Sequence, residues 1–421
     1  MDGNDLNNLP TEGAMSDPSS ALGVHQIREA NLSRTINLIH QTGAISRAEI
    51  ARETGLSATT VSLLINVLLE SGFVHESGTG KSSGGRPPIL VEFDYTFRYL
   101  LGIDMGATHL TVVLMNLAGQ VVARRYQRYD VVRKPAGTVE VMLSLIEATL
   151  NDAGQPLAHV LGTGIAVPAP LEGEQLDRPS GVILPAWDGF DLIGALQPAL
   201  SMPICVENDA NAGAIAEKWW GNGTEHDNLA YIKLSTGVGG GLITGSAIFR
   251  GDGGTAGEIG HTAIDLNGPP CRCGKRGCLE SYVGAPALIA RVAQLRQAAA
   301  PEKPQAPLDT IHEIIEAANA GDTQCREVLE QAGSYVGVGI ANLLNLLNPG
   351  LVVLGGELTD AGDYFLDAVL SSVRARAMPK AAQEAEICFS GVGDDAVAIG
   401  AATVMLQHAF EPANLSRIIP G

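Results

Sequence analysis

The stretch GPPCRCGKRGCLES, residues 268–281, places three of the chain's six cysteines within eight positions. A histidine, His261, stands ten residues before the first of them in GEIGHTAID. Three thiols and one imidazole make up a tetrahedral Cys3His donor set, so Cys271, Cys273, Cys278 and His261 are expected to hold Zn2+. The spacing is not the Cys-x2-Cys of zinc fingers, and spacing alone does not assign the site. Gly274 and Gly277 allow the short loop to curl, and Pro269–Pro270 stiffens its approach. Four donors leave no open position, so the metal would be structural. The competing reading is a disulfide, disfavoured because Cys271 and Cys273 are too close in sequence to pair well and because a cytoplasmic chain keeps its thiols reduced. Cys205, Cys325 and Cys388 read as small buried hydrophobes.

Such a knot does more than close a loop. Fixing His261 and Cys278 also fixes two acids, Glu258 three residues before the histidine and Glu280 two residues after the cysteine. One imidazole nitrogen would face the metal and the other a ligand. Zinc would thereby scaffold a pocket for a polyol.

With 421 residues the chain is expected to form two or three domains. No apolar run reaches membrane-spanning length. Residues 1–23 are polar and open with acids but no Lys or Arg, which reads as a disordered tail and not a secretory signal; the expected compartment is the cytoplasm. The net charge of −19 argues against nonspecific nucleic-acid affinity for the chain as a whole. Residues 24–92, however, balance six basic residues against six acids and escape that bias.

That neutral segment shows three helical patterns, stopped at Gly43, Gly55 and Gly72, followed by a strand–turn–strand ribbon. Ser46 and Glu49 form a capping-box pair, and Ser57 is an N-cap candidate. Helix, tight TGLS turn, helix and ribbon in this order predict a winged helix-turn-helix. Ser57, Thr59, Thr60 and Ser62 would face outward at the start of the recognition helix, small enough for close approach to DNA, and Arg86 in the wing would meet a phosphate or minor groove. A generic three-helix interaction module is the competing interpretation.

Residues 93–421 alternate strands and helices, with a long hairpin early in each half, which predicts a two-lobed α/β body. LRQAAAPEKPQAPLDT reads as an exposed loop. Asp104 ends an apolar strand and is followed by a turn with Gly106 and Thr108; Thr236 and Gly237 repeat that arrangement, and Gly355 follows a third strand. Small-residue turns let backbone N–H groups approach phosphate, and an adjacent carboxylate can hold Mg2+ through water. Each turn alone is common; the ordered trio is more specific. Asn208 and Asp209 stand where a strand gives way to a helix, suited to gripping sugar hydroxyls with Asp209 accepting a proton, although from this motif alone an ordinary Asx cap is the favoured reading.

GHTAIDLNGPPCRCGKRGCLE, with IDMGATH, TGIAVP, ENDAN, STGVGGG and LGGE in order, closely resembles the ROK family of repressors and sugar kinases, over nearly everything from about Ile27 onward. The resemblance implies an actin-like, hexokinase-type body around a sugar cleft. It implies Zn2+ on His261, Cys271, Cys273 and Cys278, and sugar hydroxyls on Asn208, Asp209, Glu258, His261 and Glu280. In family kinases the residue matching Asp209 is the catalytic general base, and those matching Asp104, Gly106, Thr108, Thr236, Gly237 and Gly355 serve ATP and Mg2+. The N-terminal module with its GGRPP wing resembles that of the sugar-responsive repressors, so the expected function is a sugar-responsive transcription regulator acting as a homodimer or homotetramer on operator DNA. The alternative is an active ATP-dependent sugar kinase with an appended DNA-binding domain. Two positions depart from the kinase pattern: His109 where a lysine is usual, and Ala169 where a glycine is usual.

Overall fold

Glycine stops and side-chain caps divide the N-terminal segment as its sequence predicts. In a computed structural model, which describes residues 23–80, 87–172, 178–181, 183–299 and 306–419, helix α1 runs Val24–Thr42 and ends at Gly43. A two-residue strand β1 (Ile45–Ser46) leads into α2 (Arg47–Thr54), where Ser46 and Glu49 form the reciprocal capping box. Helix α3 (Ala58–Ser71) is capped by Ser57. Gly55 and Gly72 end α2 and α3 in the left-handed conformation that glycine adopts without penalty. The two helices meet at 117°, within the range of helix-turn-helix pairs. Strands β2 (Val74–Thr79) and β3 (Ile89–Phe93) complete a three-stranded sheet of order β1-β3-β2. The tail expected over 1–23, Gly23 apart, and the wing residue Arg86 lie outside the described residues.

The core of this unit packs Ile36, Ile39, Ile50, Val61, Ile65 and Leu68 against Phe73 and Phe93. Phe410 joins it: its ring lies 6.0 Å from Phe93 and 6.1 Å from His40, and its carbonyl accepts a 2.6 Å bond from Ser33 Oγ. The first compact unit therefore comprises the chain up to Asp94 together with Phe410–Gly421, and the second comprises Tyr95–Ala409. A reading that carries the second domain to residue 421 differs here, because Phe410 packs its ring against His40, Phe73 and Phe93.

The second unit repeats one topology twice. Strands β4 (Tyr99–Met105), β5 (His109–Asn116) and β6 (Val121–Arg128) form an antiparallel meander. After α4 (Pro135–Ala153) comes β7 (Val160–Val167), then the short β8 (Leu171–Glu172) and β9 (Arg178–Pro179), α5 (Leu192–Leu200) and β10 (Ile204–Asn208). The sheet order is β6-β5-β4-β7-β10, with β7 and β10 parallel to the centre. Helix α6 (Asp209–Trp220) then precedes β11 (Leu229–Leu234), β12 (Val238–Thr244) and β13 (Ala247–Ile248). Following α7 (Glu280–Val283), α8 (Ala285–Ala299), α9 (Ile311–Asn319) and α10 (Thr323–Leu347) come β14 (Leu351–Gly355), α11 (Asp363–Arg376), α12 (Pro379–Glu384) and β15 (Glu386–Phe389). The second sheet, β13-β12-β11-β14-β15, has the same antiparallel meander and parallel pair. The stretch expected as a loop after Leu295 is still helical to Ala299, since its alanines favour helix.

Helix α13 (Ala396–Ala409) packs on β4, β7 and α6 through small residues. A Cβ on Gly164 would lie 1.8 Å from Ala401 O, and one on Gly400 1.8 Å from Ala212 O, so both positions require glycine for α13 to approach β7 and α6. A final helix, α14 (Pro412–Ile418), packs on α1 within the first unit.

Candidate functional site

The metal loop is shaped by its backbone. Ile264 N–H donates to Gly277 O, Gly277 N–H to Pro269 O and Cys271 N–H to Lys275 O, each at 2.8 Å. Gly274 and Gly277 have φ of 83° and 68°, and a Cβ on Gly277 would strike Asp265 O at 1.6 Å, so glycine is required for the curl. As a result one donor atom from each of His261, Cys271, Cys273 and Cys278 lies within 4.8 Å of all the others. Cys271 Sγ is 3.6 Å from His261 Nδ1 and Cys273 Sγ 3.7 Å from Cys278 Sγ. Two sulfurs about 2.3 Å from one tetrahedral ion stand about 3.8 Å apart, whereas a disulfide needs about 2.05 Å. The set fits a metal ion and not a cross-link. The other imidazole nitrogen, Nε2, faces Glu258 at 3.8 Å.

Behind this loop lies a narrow cavity of about 60 Å3, lined among others by Asn208, Asp209, Glu258, His261 and Glu280. All five residues expected to meet a sugar thus converge. That volume matches a few water molecules. Burial, together with the charges of Asp209 and Glu280, pushes the Glu258 carboxyl up to about 7. Glu280 is already engaged: Arg272 donates from Nε at 2.6 Å and from Nη2 at 2.9 Å, and Val238 N–H donates at 3.1 Å.

Asn208 proves to be a true cap. Its Oδ1 accepts from Ala210 N–H at 3.0 Å and from Asn211 N–H at 3.1 Å, and its Nδ2 donates to Ala169 O. Glu207 supports it, accepting from Asn208 N–H, from Asn211 Nδ2 and from Arg250.

The residues expected around phosphates have different fates. Gly106, Thr236 and Gly237 line the same cavity, while Thr108 and Gly355 do not. The Gly106 turn is covered by the His109 ring, whose Nε2 bonds Asp104 Oδ2 at 3.2 Å and whose face stacks on Tyr126. A Cβ on Gly237 would meet Glu280 Oε2 at 2.6 Å and Arg272 Nη2 at 2.7 Å. Gly355 is a glycine because Tyr231 Oη would sit 2.1 Å from its Cβ, a packing reason internal to β11 and β14.

Sequence reasoning missed Lys233. Its ammonium pairs with Asp209 Oδ2 at 2.6 Å, and both residues are more than nine-tenths buried. Burial works to lower the lysine's pKa, but Asp209 and Asp104 outweigh it and the pKa is raised. Asp104 shows the mirror case: burial works to raise it, while Lys233 and His109 bring it below the usual carboxylate range. The available signal was a single charge inside the apolar strand LAYIKL. Arg272, wedged between two metal-loop cysteines, was missed as well.

On the first unit, Ser57, Thr59 and Ser62 are exposed, whereas Thr60 is half-buried with its hydroxyl on Ser57. Asn66, also exposed, lies seven residues beyond Thr59 and four beyond Ser62, on the same helical face. Among the described residues no single helix is long and apolar enough to cross a membrane.

Comparison with known proteins agrees with this two-part build. The ROK family model matches residues 100–408, and a winged helix-turn-helix DNA-binding model matches residues 29–75. The xylose repressor of Bacillus subtilis is 33% identical over 387 residues, spanning 91% of this chain and 97% of that protein. A glucokinase of Halalkalibacterium halodurans is 33% identical, over 74% of this chain and 96% of the enzyme. The crystal structure of a ROK family transcriptional regulator, a homologue of the Escherichia coli MLC protein, superposes with a TM-score of 0.78 at 26% identity, covering 94% of this chain and 100% of that one.

Proposed function

The chain belongs to the ROK family, and from that membership, its winged helix and its acid-lined cavity we propose that it is a sugar-responsive transcriptional repressor. The observation that carries this reading is one chain holding both a helix-turn-helix bent at 117° and a cavity in which Asn208, Asp209, Glu258, His261 and Glu280 converge.

Operator DNA is read by Thr59, Ser62 and Asn66 on the exposed face of α3, with Ser57 and Thr60 shaping its N-terminus and Arg86 acting from the wing. A homodimer or homotetramer presents paired recognition helices to a palindromic site. The metal is Zn2+, held by His261, Cys271, Cys273 and Cys278; it supplies no open position and orients His261 between the ion and Glu258. A sugar entering the cavity changes operator affinity by favouring one lobe arrangement, and a full switch needs about 10⁴-fold preference between the two states. Xylose, the sugar named for the Bacillus subtilis relative, heads the panel to test. The cytoplasm is the compartment this role requires.

The test is fluorescence anisotropy of the full chain on DNA from its own promoter, with and without xylose, glucose, N-acetylglucosamine and their phosphates. A sequence-specific complex whose affinity moves with one sugar is expected. Absence of any specific complex removes the repressor reading, and a complex indifferent to every sugar removes the effector.

A further inference from the structure

We infer that Lys233 is a built-in counter-ion that closes the nucleotide end of this cleft to magnesium-bound ATP, so that the chain receives its sugar without phosphorylating it. This inference rests on reading the cavity as a sugar cleft.

Four observations bear on whether Mg2+ and a triphosphate fit the residues present. Asp209, the carboxylate at the position of a general base, is bonded to the Lys233 ammonium at 2.6 Å. A base must take a proton from a hydroxyl in the transition state, and a carboxylate neutralised by a buried ammonium is a poor proton acceptor. Asp104, the carboxylate placed to hold Mg2+, feels the same ammonium and is bonded to His109. Its other oxygen, Oδ1, is buried without a partner, so any Mg2+ would have to be held there inside the field of the Lys233 ammonium. Both cradles are filled from within: the His109 ring over Gly106, and Glu280 with Arg272 over Gly237. Finally, the Val238 N–H of the second glycine turn, a donor suited to a phosphate oxygen, is spent on Glu280. The phosphate-type motifs persist in sequence while Asp209, Glu280 and one oxygen of Asp104 are engaged by the chain's own side chains.

A like charge held within a few ångströms of a cation site at an effective dielectric of about 20 costs the incoming dication at least about tenfold in affinity. Calorimetric titration of the full-length chain with Mg2+ and the non-hydrolysable analogue AMPPNP reads this directly, with no sugar or DNA present. The wild type is expected to show no saturable binding, Lys233→Arg to remain silent because it keeps the charge, and Lys233→Gln to gain at least about tenfold. Lys233→Gln preserves a donor to Asp209. Should it fail to fold, Lys233→Met, which keeps the apolar stem and removes only the positive charge, is expected to show the same gain. Saturable binding to the wild type overturns the inference. So does sugar phosphorylation by the wild type that Asp209→Asn abolishes, or a folded neutral variant that stays silent. Operator and sugar binding are measured separately, so a failure of the repressor reading leaves the nucleotide result intact and distinguishable.

Discussion

Replacing Asn208 by Ala separates what this residue does for the fold from what it does for a ligand. Its Oδ1 accepts from the N–H groups of Ala210 and Asn211 at the start of α6. Both residues are buried, at 1% and 4% exposure, so no bulk water replaces the lost acceptor. Ala210 N–H keeps Asp209 Oδ1 at 2.8 Å, whereas Asn211 N–H is orphaned. Losing this cap leaves a buried donor without its acceptor, which costs about 1–3 kcal/mol, so Asn208→Ala should destabilise the body by about that much. Asn208→Ser retains a capping oxygen and should recover most of that. The assay is urea denaturation followed by the fluorescence of Trp219 and Trp220, which lie at the other end of α6. An alanine variant within about 0.5 kcal/mol of the wild type would refute the capping argument. A serine variant of full stability whose sugar-induced thermal shift is lost would show that the amide also meets the ligand.

Gly164→Ala should cost about 3 kcal/mol, read as a fall in thermal stability, because its Cβ lands 1.8 Å from the Ala401 carbonyl and α13 must retreat. Cys273→Ser is expected to reduce bound zinc well below one equivalent per chain by atomic emission, while Cys325→Ser leaves it unchanged, since Cys325 packs in the helical core away from the loop. The backbone N–H of Cys325 and the Arg296 guanidinium hold the Asp322 carboxyl below its usual range at the start of α10. A carboxyl with a lowered folded pKa stabilises above its unfolded value and loses that contribution as pH falls through the folded one. The stability gap between wild type and Asp322→Ala, about 1 kcal/mol at pH 7, should therefore shrink as pH drops below about 4 in parallel denaturation curves.

Sequence alone determined the elements whose causes are local. The helix stops at Gly55 and Gly72, the Ser46–Glu49 box and the Ser57 cap follow from backbone sterics and hydrogen bonds within a few residues. The metal loop was legible for the same reason: three of its four donors and the two glycines that bend it lie within eight positions. Tertiary structure alone decided who neutralises whom. Lys233 meets Asp209 across 24 residues, Glu207 meets Arg250 across 43, and Phe410 reaches a core formed by residues before Asp94. Electrostatic partners in a buried cleft depend on through-space distance, and a one-dimensional string of residues carries no record of that distance until the two sheets have folded around it.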